Sequence, residues 1–144
     1  MKEDVVLLRR LLDIAYEKQL HHLGSYFSCL GIIDNIYDKM DEDDIFILSN
    51  GHASVALYVV LEKYFGFDAE NLLSELGEHP SRNELMKVHC STGSLGMGIT
   101  VAVGRALSNK NRQVYCVISD GECSEGSVWE SLAFIEQNNI ENIH

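Results

Sequence analysis

Asp120 stands directly after an apolar run, Val114-Tyr115-Cys116-Val117-Ile118-Ser119, and is followed by Gly121 and Glu122. A carboxylate leaving a buried strand can hold a hard cation such as Mg2+ beside a phosphate. Gly121 permits a sharp turn and close approach of a ligand. Read alone, Asp-Gly is also an ordinary turn that caps the next helix. A second kind of chemistry is offered by Thr92-Gly93-Ser94-Leu95-Gly96-Met97-Gly98. Its glycines let the backbone press against a flat or anionic ligand, and the helix start that follows favours negative charge. The order is G-x-x-G-x-G with no clear strand before it, so it is not the dinucleotide fingerprint. The G-K-[ST] ending of a P-loop is missing too. The plainer reading of this segment alone is tight packing of a helix rich in small residues.

Three histidines, His22, His52 and His79, fall in turns. Such a side chain can hydrogen-bond a phosphate or shuttle a proton near neutral pH. His52 has the best setting, because it ends the turn Asn50-Gly51-His52 after an apolar run. His21, His89 and His144 lack supporting neighbours. Glu125 and Glu130 flank Trp129 on a helical stretch. Read locally, Glu125 complements the helix dipole and Glu130 belongs to a solvated face. Neither an H-E-x-x-H pattern nor a catalytic Cys-His pairing is visible.

The elements that must position these residues follow from periodicity. Residues 4–21 read as a helix, with Val5, Leu8, Leu12 and Ala15 at helical spacing and Asp4 as its cap. His21 to Ser25 reads as a turn. Residues 27–39 read as a helix with Cys29, Ile32, Ile33 and Ile36 on one side. Asp41-Glu42-Asp43-Asp44 reads as a solvated, helix-starting loop. Residues 44–49 form a buried strand, residues 53–65 a largely buried helix, and residues 69–76 a short one. Glu78 to Ser91 reads as loop and Ile99 to Ser108 as a helix. Residues 113–119 form a second strand and residues 125–138 a helix, and Glu141 to His144 begins another strand. This order implies an α/β fold with a mostly parallel sheet, helices on both faces, and a C-terminus that stops short. Ligands in such sheets sit at the carboxyl ends of strands, where both interesting turns lie.

The chain has 144 residues, a length that suits one domain. Its formal net charge of -11 disfavours nucleic acid and anionic membrane as partners. The four cysteines match no zinc pattern and read as free thiols of a reducing cytoplasm. Met1-Lys2-Glu3-Asp4 does not open a signal peptide, and no apolar run reaches membrane-spanning length.

Taken in order, the motifs are more specific. Ser49-Asn50-Gly51-His52-Ala53-Ser54-Val55-Ala56-Leu57-Tyr58 closely resembles the S-x-G-H-x-x-x-x-L-Y segment of transketolases. Thr92 to Gly98, with Ala102-Val103-Gly104, resembles their T-G-x-L-G-x-G…A-V-G segment. Ser119-Asp120-Gly121-Glu122, with Glu125-Gly126 and Trp129-Glu130, resembles the opening of the thiamine-diphosphate motif. His22-Leu23-Gly24 resembles the early S-G-H-x-G region, with Leu20-His21 in place of Ser-Gly.

The resemblance implies that residues 1–144 form a partial diphosphate-binding domain of a transferase that moves a two-carbon ketol unit between sugars. It implies thiamine diphosphate and Mg2+, with Ca2+ able to replace the metal. By the same resemblance Asp120 is a metal ligand, Gly121 lies against the diphosphate, and Glu122 belongs to the same cofactor-binding segment. Gly93, Ser94 and Leu95 present backbone to the aminopyrimidine ring. His22, His52 and His79 line the substrate channel, His52 also near the diphosphate. Glu125 and Glu130 match glutamates that link two active sites across a dimer interface.

The family's second metal ligand, an Asn some thirty residues beyond the Asp, would fall past His144. The glutamate that activates the aminopyrimidine belongs to a separate pyrimidine-binding domain. The expected partners are therefore a second chain carrying both, sugar phosphates as substrates, and a homo- or hetero-oligomer. Two other readings stay open: a catalytically inactive remnant kept for assembly or regulation, and an unrelated α/β nucleotide-binding module. The last does not explain the ordered placing of His52 and Glu130.

Overall fold

The computed structural model describes residues 5–144. Asp4, expected to cap the first helix, lies outside them. Among the described residues, six α-helices and two strands follow one another as α1 (Val5–Glu17), α2 (Leu23–Tyr37), β1 (Ile45–Leu48), α3 (Ser54–Phe65), α4 (Ala69–Leu76), α5 (Met97–Ser108), β2 (Val114–Val117) and α6 (Gly126–Gln137). Short 3-10 turns lead out of both strands, at Gly51–Ala53 and Gly121–Ser124, and a third lies at Glu84–Met86.

β1 and β2 pair in parallel, with Ile45 opposite Val114 and Leu48 opposite Val117. The expected strand start at the end of the chain also pairs in parallel, through a bridge between Val114 and Ile143. There the Val114 amide donates to the Asn142 carbonyl at 2.9 Å, and the Cys116 amide donates to the His144 carbonyl at 2.8 Å.

Successive strand residues point to opposite faces, and the core divides accordingly. Phe46, Leu48 and Val117 join the cluster built by α1 to α4. Ile45, Ile47 and Val114 join Ala102 and Ala106 of α5. The sheet thus carries helices on both faces, as an α/β fold requires. No helix among the described residues is long and apolar enough to cross a membrane.

Several local expectations are corrected. The buried stripe of α1 is Leu7, Leu11, Ile14 and Ala15, whereas Val5 is 73% exposed. The stripe is shifted because residues 7, 11, 14 and 15 hold the i, i+4, i+7, i+8 face. Of the turn expected over residues 21–25, only residues 21 and 22 precede α2, which starts at Leu23. A Cβ on Gly24 would meet nothing within 4 Å, and the glycine does not interrupt the helix, while the Tyr26 amide donates to the His22 carbonyl. The acidic run leads into β1, not into a helix. Asp44 receives the Asp41 amide and, across the sheet, the Gln113 amide. The loop from Glu78 to Ser91 is more ordered than expected, because Asn83 and Val88 form an antiparallel bridge.

Candidate functional site

The exit of β1 is where the site begins. Ser49 and Asn50 are buried, and the chain turns through Gly51 into a 3-10 turn carrying His52. A side chain at Gly51 is ruled out by geometry, since a Cβ would stand 2.7 Å from the carbonyl carbon of Thr92. The backbone of the β1 exit therefore lies directly on the glycine segment. Gly93 and Gly96 take φ values of 147° and 78°, a region that L side chains rarely adopt. A Cβ on Gly93 would meet the His79 ring at 2.9 Å.

These contacts gather the three sequence-predicted histidines. The ring centroids of His22 and His52 are 5.1 Å apart, and those of His22 and His79 are 6.4 Å apart. His79 is held through its chain neighbours. The Tyr26 hydroxyl donates to the Glu78 carboxylate at 3.0 Å, and the Ser54 hydroxyl donates to the Glu78 carbonyl at 2.5 Å. The Thr92 amide donates to the Pro80 carbonyl at 3.2 Å. Burial lowers the pKa of His52, and the neighbouring His22 and His79 lower it further, against an opposing pull from Glu122. Desolvation and like charge both disfavour the imidazolium form.

The exit of β2 faces the same region. Asp120 occupies the N-cap position of a 3-10 turn yet makes no side-chain capping bond, and it is exposed. The capping read from Asp-Gly alone is therefore not made by its side chain. Leu95, His52, Asp120 and Gly121 border one cavity of about 330 Å³. The glycine turn and both strand exits thus converge on one space.

Other predicted residues do not border that space, His22, His79, Gly93 and Ser94 among them. Glu125 and Glu130 are exposed and do not line it. Glu125 packs its Cβ against Gly96 at the start of α6. Glu122 is fully buried, and both of its carboxyl oxygens are engaged by protein donors.

The far wall of the cavity was not read from sequence. It is formed by Ser25, Ser28, Cys29 and Ile32 of α2. Their spacing is i, i+3, i+4, i+7, a single helix face. That signal was present but hidden by starting the helix at residue 27. Ile32, expected on one helix side with Cys29, Ile33 and Ile36, is 46% exposed and borders the cavity. Asn50 also lines it. Its side-chain amide donates to Cys29 Sγ at 3.2 Å, while its Oδ1 is buried without a hydrogen-bond partner. All four cysteines are free thiols.

The arrangement suits an anionic ligand held through a hard cation. It offers a carboxylate without a capping bond, a glycine backbone able to lie close to a ligand, and a cluster of imidazoles.

Comparison with known proteins agrees with this geometry. The family description "Transketolase, thiamine diphosphate binding domain" matches residues 32–143. An apulose-4-phosphate transketolase subunit of Phocaeicola vulgatus is 33% identical, over 94% of this chain and 55% of that protein. Transketolase-like protein 2 of Homo sapiens is 32% identical, over 99% of this chain and 28% of that protein. Transketolase of Homo sapiens is 39% identical, over 70% of this chain and 18% of that protein. The chain thus spans about half the length of the first relative and about a quarter of the second. With its two strand exits and glycine turn around one cavity, the chain belongs to the transketolase family, within the thiamine-diphosphate-binding domain.

Proposed function

We propose that this chain supplies the diphosphate-binding part of a transketolase-type enzyme that moves a two-carbon ketol unit between phosphorylated sugars. The observation that carries this reading is the convergence of His52, Leu95, Asp120 and Gly121 on one cavity. When bound, thiamine diphosphate supplies the carbanion chemistry that breaks and forms bonds beside a sugar carbonyl. The residues present fit such a group. The Asp120 carboxylate is a hard oxygen donor suited to Mg2+, or to Ca2+ in its place. Gly121 gives the diphosphate close access, and Gly93, Ser94 and Leu95 offer backbone to its ring system.

The chain's own side chains then act on the substrate. His22, His52 and His79 hold the hydroxyls or phosphate of a sugar and move protons at its oxygens. Because its pKa is lowered, His52 acts there as a neutral imidazole able to accept a proton. Glu125 precedes α6 and Glu130 lies on it, and Trp129 between them is 62% exposed. That surface suits an interface with a neighbouring protomer, through which the two glutamates link active sites.

In this reading a partner subunit supplies the pyrimidine-binding domain that completes the site. The relative in Phocaeicola vulgatus is named as one subunit of its enzyme, which supports such a divided arrangement. The four free thiols suit the reducing cytoplasm, where we place this activity.

Calorimetric titration with thiamine diphosphate and Mg2+, with and without the partner chain, tests the reading. Saturable binding and ketol transfer on adding the partner are the expected results. No heat at millimolar cofactor with the partner present would leave the inactive-remnant reading instead.

A further inference from the structure

Glu122 is the only charged side chain in the buried set among the described residues, with 0% exposure. A carboxyl group at that depth is costly unless donors surround it. Three do. Its Oε1 accepts the Ser49 hydroxyl at 2.6 Å and the Gly96 amide at 2.8 Å. Its Oε2 accepts the Ser119 amide at 3.0 Å. The donors come from the exit of β1, the entry to α5 and the exit of β2. Ser49 and Gly96 are chain neighbours of Asn50 and Leu95, which border the cavity, and Ser119 borders it itself beside Asp120.

We propose that Glu122 is the positioning residue of this site: its carboxyl group ties the glycine turn to both strand exits and so sets the width of the cavity. The proposal rests on reading the cavity as the cofactor site. It reassigns Glu122 from touching the cofactor to placing the residues that do.

The residue type follows from the donor count. A side chain must accept at both oxygens to meet all three donors. In Glu122→Gln the amide nitrogen opposes either the Ser119 amide or the Gly96 amide, donor against donor. The variant therefore frees either the β2 exit or the glycine turn. The Ser49 hydroxyl adapts in both cases, because it can accept as well as donate.

The test compares the full chain with its E122Q variant at a temperature where circular dichroism shows both folded. In hydrogen–deuterium exchange without ligand, the Gly96 or the Ser119 amide of E122Q should exchange at least about tenfold faster, while the Ile47 and Cys116 ladder amides hold. Thiamine diphosphate with Mg2+, titrated with the partner chain where the wild type needs it, should bind at least about tenfold more weakly. A residue that served stability alone would lower the unfolding midpoint and leave the affinity of the folded protein unchanged. Unchanged exchange at both amides, together with affinity within about twofold of wild type, overturns the proposal. If E122Q does not fold, Ser49→Ala carries the same test. It keeps the carboxyl group, loses one donor, and should weaken binding by a few-fold. If the wild type itself binds no cofactor, the cofactor reading fails, and exchange at Gly96 and Ser119 together still decides whether Glu122 fixes these turns.

Discussion

Gly98 lies so close to Ser49 that a Cβ on the glycine would stand 2.5 Å from the serine Cα. Helix α5 and the exit of β1 therefore meet backbone to backbone. Replacing Gly98 by alanine forces rigid backbone apart and should cost about 1–3 kcal/mol, the usual range for overpacking. A Cβ on Gly104, on the same helix, would meet nothing within 4 Å. Gly104→Ala should be neutral or stabilise by up to about 1 kcal/mol through helix propensity. Urea unfolding of both variants checks the contrast. Equal midpoints would show that the close approach is relaxed in solution.

Asp120→Asn separates binding from folding. The side chain is exposed and makes no capping bond. Its stability should stay within about 0.5 kcal/mol of wild type, as for surface changes away from special contacts. Under the proposed function, in which Asp120 is the metal ligand, affinity for thiamine diphosphate with Mg2+ should fall at least about tenfold. Thermal unfolding and calorimetry on one preparation decide both halves.

Protonation of His52 should destabilise the protein. Its ordinary pKa is 6.5, and burial followed by the nearby His22 and His79 lowers it in the folded state. Between the folded and unfolded pKa values the unfolded chain binds more protons. Stability is therefore complete above pH 6.5 and declines as pH falls toward the folded value. His89 shifts in the same sense, through burial that outweighs the pull of Glu84. The comparison of wild type with His52→Gln isolates His52. The variant should show a shallower loss of denaturant midpoint between pH 6.5 and 5, and identical slopes would refute the assignment.

Glu84 governs a lower window. Partial burial raises its carboxyl, but hydrogen bonds from His89 and Arg105 prevail and hold it at about 2. A depressed carboxyl stabilises fully above its ordinary pKa of 4.5, and the benefit is lost as pH falls from there toward 2. Because the side chain is 41% exposed, solvent screening keeps the contribution to about 1 kcal/mol or less. Glu84→Gln should remove that acid step, read as a smaller change in midpoint between pH 5 and 3.

Where local chemistry decides structure, the sequence was legible. The apolar runs around Ile45 and Val114 became paired parallel strands, and the turns after them became the strand exits. Asp120 and Leu95, 25 positions apart in the chain, border one cavity, and the order of motifs anticipated that meeting. Helix starts were less legible. Nothing about Gly24 announces that α2 runs through it, so the wall formed by Ser25 and Ser28 went unseen. The role of Glu122 was hidden for a different reason. Its burial arises only when donors from positions 49, 96 and 119 converge. No spacing rule encodes a contact among three separated segments.

The two hydrophobic clusters lie on opposite faces of the same narrow ribbon. The cavity has a wall from α2, which belongs to one of them, and a lip at Leu95, which leads into α5 of the other. A molecule lodged there would act as a rivet across the two halves. Occupancy would then sharpen the melting of the whole chain into a single cooperative step, and not merely quiet the loops it touches.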